Sequence, residues 1–212
     1  MRARLIRPAL GLAAVAAAVL ATGATAAPNT LTLEDVKGDA NAVNGQGVAP
    51  GAGDRSGPTQ KADSDIVSVT FASTGTTKTV KGKKVFTCTG FTATLELAAP
   101  AGSASAYRIL GGGVVNASQF WLQYSNSPAG KTTAIRHNDG AAKMTPIAEA
   151  KLEGNKVIFT VTEKDIKATG EKPATFTMGA LGADVRTSTG AATVPSWDSL
   201  DPDDTKSFSP CK

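Results

Sequence analysis

Four stretches of the chain alternate apolar and polar side chains with a period of two. In "DIVSVTFAS" Val67, Val69 and Phe71 alternate with Ser68 and Thr70, and in "FTCTGFTATLELAA" Phe91, Ala93, Leu95 and Leu97 alternate with Thr92, Thr94 and Glu96. "QFWLQYS" places Phe120, Leu122 and Tyr124 on one face, and "NKVIFTVTE" does the same with Val157, Phe159 and Val161. Residues 174–185, "ATFTMGALGADV", carry a weaker version. Such alternation predicts strands with one buried face each, and the threonine and valine content agrees with it. The helical signal is confined to "TEKDIKAT", where Thr162 can cap a short helix through residue 167. Parallel sheets need longer crossover helices, and none is present. The pattern predicts an all-β fold, an antiparallel β-sandwich of jelly-roll or immunoglobulin-like kind with one short helical turn.

Residues 1–26 do not fit this pattern. Arg2, Arg4 and Arg7 precede the apolar run "ALGLAAVAAAVLA", and small residues follow up to Ala26. This is the pattern of a signal peptide, so the expected product is residues 27–212, secreted to the extracellular side as a single domain and a monomer. A Gly/Pro-rich loop at 45–61 interrupts that domain. Setting the leader aside also changes the charge. Residues 27–212 carry 19 Lys and Arg against 18 Asp and Glu, so the net charge of +4 comes mostly from the leader. A balance this near neutral predicts no nucleic-acid partner, and no later stretch is apolar and long enough to predict membrane insertion. The two cysteines, Cys88 and Cys211, are expected to form one disulfide in an exported protein.

The chain has one histidine, His137, and no motif of a serine hydrolase, a zinc protease or a nucleotide-binding loop. Zinc and copper lack ligands for the same reason, and a haem would have only His137, Met144 and Met178 as axial candidates. The expected protein is therefore not an enzyme. Hard oxygen donors are plentiful, in "EDVKGDANAVNGQG" (34–47), in "ADSD" (62–65) and in "WDSLDPDD" (197–204). Calcium takes about six to eight such oxygens from carboxylates, amides and carbonyls. Asp35, Asp39 and Asn41, with Asp65 at the mouth of the next strand, are the candidate calcium ligands. The spacing is not that of an EF-hand, since Val43 and Pro50 fall where ligands would be needed.

The order of these segments resembles a known group. A strand ending in acid, then "KGDANAVNGQG", a Gly/Pro loop and "ADSDIVSVTF", resembles secreted β-sandwich modules of high-GC Gram-positive bacteria. Those are similar to the DOMON-like group, which includes the family 9 carbohydrate-binding modules. "LEGNKVIFTVTEKDI" matches the strand and helical turn near the end of such modules. The resemblance implies a β-sandwich, and it implies calcium at Asp35, Asp39 and Asp65, with Asn41. "DANAVNG" departs from the shorter turn of that group, and neither tryptophan aligns with its aromatic clamp.

Sugar recognition needs an aromatic platform with polar neighbours. In "FWLQY" Trp121 and Gln123 project opposite to the apolar set, which makes them the candidate ligand-binding pair. The lysines of "KTVKGKK" (78–84) predict a solvated hairpin turn. The expected function is a calcium-stabilised β-sandwich with a binding or structural role, its partner an extracellular polysaccharide or cell-wall polymer. The alternative is a hydrolase that pairs Asp39 with Asp198 or Asp201.

Overall fold

The computed structural model describes residues 28–35, 41–42, 64–102, 106–113, 119–127, 130–138, 142–186 and 196–211. The leader and the Gly/Pro-rich loop lie outside the described residues. In chain order the strands are β1 (Thr30–Glu34), β2 (Asn41–Ala42), β3 (Ile66–Val80), β4 (Lys83–Leu97), β5 (Ala106–Gly113) and β6 (Gln119–Ser127). They continue with β7 (Gly130–Asn138), β8 (Ala142–Pro146), β9 (Lys151–Glu153), β10 (Lys156–Thr162), β11 (Met178–Arg186) and β12 (Ser196–Phe208). One helix, α1 (Glu163–Ala168), follows β10. Among the described residues every strand pairing is antiparallel, in a five-stranded sheet ordered β1-β3-β4-β10-β9 and a seven-stranded sheet ordered β2-β12-β11-β5-β6-β7-β8.

The alternation marks the inner faces. Phe91, Ala93, Leu95 and Leu97 are fully buried, as are Val157, Phe159 and Val161, and Phe120, Leu122 and Tyr124 are nearly so. Side chains of both sheets form one apolar cluster, so the two inner faces pack on each other as a sandwich. Phe208 of β12 ties the layers together, with its ring 5.4 Å from Phe71 of β3 and 5.7 Å from Phe91 of β4. Burying each such aromatic ring stabilises the fold by roughly 1.5–3 kcal/mol.

At the start of β3 the structure corrects the expected face. Ile66 opposes Leu97 and Ser68 opposes Glu96, so Val67 is an extra residue in a bulge. The inward set is therefore Ile66, Val69 and Phe71, all fully buried, and Val67 is only half-buried. A strict period of two cannot register an inserted residue.

The oxygen-rich stretch "WDSLDPDD" lies within a strand, β12. β12 pairs with β11, but Leu181 opposes Asp203 while Ala183 opposes Leu200. The irregularity holds Pro202, which has no amide proton to give to a ladder and is tolerated at such a bulge. Around α1 the expectation holds closely. The Thr162 hydroxyl accepts from the Asp165 amide, the Asp165 carboxylate accepts from the Thr162 amide at 2.8 Å, and Ile166 is buried beneath them.

The cysteines form the expected disulfide, with Cα atoms 5.4 Å apart. It links β4 of one sheet to the tail that follows β12 of the other. Around it the Ser73 hydroxyl donates to the Pro210 carbonyl at 2.6 Å, and the Asn29 amide side chain donates to the Ser209 carbonyl at 3.2 Å. The start of β1, the middle of the β3–β4 hairpin and the C-terminal tail are thereby fastened at one place.

Candidate functional site

The outer face of the seven-stranded sheet carries a polar row. Asp184 on β11 opposes Arg108 on β5, and Arg108 opposes Gln123 on β6, so three neighbouring strands each contribute one side chain. Alternation puts these residues outward because Tyr107 and Ile109, Leu122 and Tyr124, and Ala183 and Val185 take the inward positions. Arg108 and Asp184 form a two-pronged ion pair, Nε to Oδ1 at 2.6 Å and Nη2 to Oδ2 at 2.5 Å. Planar guanidinium and carboxylate groups fit each other in this geometry. The pair is well shielded, with side-chain exposures of 13% and 7%.

Trp121 sits on the next row of the same face, and the Arg108 guanidinium lies over its ring at 5.3 Å from the centroid. One cation therefore fixes both a carboxylate and an indole, which adds roughly 0.5–2 kcal/mol through the ring interaction. Trp121 and Gln123 are both half-buried. The Gln123 amide donates to the Ser125 hydroxyl at 2.7 Å, which orients it along the face. Trp121 and Gln123 therefore project from the outer face, away from the core, as their alternation requires. Arg108 and Asp184 were missed. Their signal is present in "YRIL" and "ADVR", where a charge alternates with buried residues. Its meaning depends on the pairing of β5 with β11, which are far apart in the chain.

The calcium candidates divide between the two sheets. Asp35 follows β1, and its amide donates to the Val67 carbonyl at 2.9 Å, two residues from Asp65. Both aspartates therefore lie at the same end of the β1–β3 pair. Asp65 is 3% exposed, and its carbonyl accepts from the Ala98 amide at 2.8 Å. Asn41 belongs to the other sheet, where the β2 backbone pairs with β12 so that Asn41 opposes Trp197. Asp39 and Asp63 lie outside the described residues, as do the side chains of Asn41, His137 and Asp198 through Asp204 apart from Leu200. Among the described residues no three acidic, histidine or cysteine side chains come together. Asp35 and Asp65 are hard donors of the type calcium takes.

Comparison of the chain with protein-family models, with curated proteins and with solved structures finds no match.

Proposed function

We propose that this chain is an exported, non-catalytic β-sandwich that binds an extracellular polysaccharide or cell-wall polymer on the outer face of its seven-stranded sheet. The observation that carries the reading is the Asp184–Arg108–Trp121 network beside Gln123. A sugar ring offers an apolar C–H face and pairs of hydroxyls. An indole held in place by a guanidinium suits the first, and the oriented Gln123 amide suits the second. Fixing these groups before the ligand arrives lowers the ordering cost of binding.

Affinity electrophoresis through gels containing xylan, mixed-linkage β-glucan, galactomannan, dextran or purified cell-wall polysaccharide tests this. At least one polymer is expected to retard the protein, and Trp121→Ala should weaken that retardation tenfold or more. Equal mobility in every gel, or retardation that Trp121→Ala leaves unchanged, would remove the reading. Turnover of any of these polymers would replace it with the hydrolase reading. The β2–β12 ladder would then matter, because it pairs Asn41 with Trp197, the residue before Asp198.

Calcium is the proposed stabiliser of the β1–β3 end, with Asp35, Asp39, Asn41 and Asp65 as its ligands. A cation held at about a hundred times its dissociation constant stabilises by about 2.7 kcal/mol. Millimolar calcium is therefore expected to raise the melting midpoint by roughly 5–10 °C over the chelated protein. An unchanged midpoint would sink the calcium site and leave the sugar-binding face untouched.

A further inference from the structure

We infer that the far half of the β3–β4 hairpin is a docking arm for a linear polyanion with closely spaced phosphate charges. β1 follows β3 only as far as Ala72, and β10 follows β4 only from Gly90. Beyond those points, among the described residues, the two strands pair only with each other, from Gly75 opposite Cys88 to Val80 opposite Lys83. The ribbon leaves the sheet at a bulge beside Gly90. Gly90 has φ 145°, and a side chain there would collide with the Val161 carbonyl. At its tip Lys81 and Gly82 both have positive φ, 51° and 75°, the two-residue turn that matches strand twist.

An isolated two-stranded ribbon is marginal in water. This one is secured at its base by the Cys88–Cys211 disulfide and by the Ser73–Pro210 hydrogen bond. The molecule therefore holds out a segment that adds nothing to the core. Thr76, Thr77, Thr79 and Thr87 are exposed along it, and Val80 at its end is 52% exposed.

The charge on this arm indicates its partner. Residues 75–87 hold four lysines, Lys78, Lys81, Lys83 and Lys84, and no acidic residue. None of the four makes an ion pair among the described residues. Residues 27–212 carry 19 basic and 18 acidic groups, so without the arm the remainder would be net acidic. Register places Lys78 and Lys83 on one face with Val80, Lys84 on the other face, and Lys81 at the turn. Along a strand two ladder steps span about 7 Å, so Lys78 and Lys83, which share a face, are rooted about one Debye length apart at physiological salt.

A charged knob facing several directions suits a flexible polymer that can follow it around. A flat acidic protein surface would reach only one face. Lysine ammonium groups act as point charges for phosphate, and the threonine hydroxyls supply neutral donors to the remaining phosphate oxygens. The same lysines oppose pairing of the free edges with a second copy of the chain.

Fluorescence anisotropy of labelled long-chain inorganic polyphosphate, titrated with the protein from low to physiological salt, tests the arm. Counterion release predicts a slope of log K against log salt near −3, about −0.7 to −0.9 for each lysine engaged. The variant with all four lysines changed to glutamine should bind at least tenfold more weakly at low salt with a nearly flat slope. Its melting midpoint should match the parent, because the arm lies outside the core. The variant with four arginines should retain binding. No binding by the parent, unchanged binding by the glutamine variant, loss in the arginine variant, or equal affinity for polyglutamate would each overturn the assignment. Neutral-polysaccharide binding is read separately through Trp121, so the two proposals can fail independently.

Discussion

With Cys88 and Cys211 both replaced by serine, the protein is expected to lose about 4–5 kcal/mol of stability and to melt roughly 10–15 °C lower. The disulfide closes a sequence separation of 123 residues. In the chain-entropy description a loop of that length removes much of the freedom of the unfolded chain. Its position adds a native-state effect. The bond joins β4 of one sheet to the tail of β12 in the other, at the place where Asn29, Ser73 and Pro210 also meet. The serine variant should therefore show a steeper denaturant dependence, since its unfolded state exposes more surface. Urea and thermal unfolding of both proteins check this. A midpoint shift of less than about 2 °C would mean that the remaining contacts hold the two sheets without the bridge.

Asp184→Ala is expected to destabilise the fold by about 3–5 kcal/mol, because it leaves the Arg108 guanidinium shielded from water without its carboxylate. The double variant Arg108→Met with Asp184→Leu should lie within about 1 kcal/mol of the parent, since a buried ion pair gains little over apolar groups of similar volume. This contrast separates what the pair does for the fold from what it does for a ligand. The double variant should fold, lose the cation over the Trp121 ring, and lose polysaccharide binding. If Asp184→Ala were as stable as the parent, the pair would be solvated, and the outer face would not be the prearranged platform described above. Denaturant midpoints of the three proteins decide it.

The inner faces of the sandwich were legible from the alternation because burial acts on each side chain locally. Leu95, Leu122 and Phe159 could be assigned inward from their own neighbours alone. Strands β5, β7 and β12 were less legible. "YRILGGG" ends in glycines, "GKTTAIRHN" is largely polar, and the aspartates and proline of "WDSLDPDD" favour turns when read locally. Pairing with β11 overrides that preference in β12, and a bulge accommodates the proline. The candidate site divides in the same way. Trp121 and Gln123 follow from the period of a single strand. Arg108 and Asp184 become partners only through contact between strands that are 76 residues apart in sequence at that pair. No local pattern encodes such a contact. The lysine-tipped hairpin was legible as a turn, but its projection beyond both neighbouring strands depends on where β1 and β10 stop.

The central claim is that a polysaccharide binds on the outer face of the seven-stranded sheet, and backbone amide shifts tested by NMR address it most directly. An oligosaccharide fragment of the polymer that retards the protein most is titrated into the labelled protein. The account predicts progressive shifts at 106–110, 121–125 and 182–186, with the Trp121 indole proton moving most. Shifts confined to other parts of the molecule, with those three segments unmoved at saturation, would contradict it.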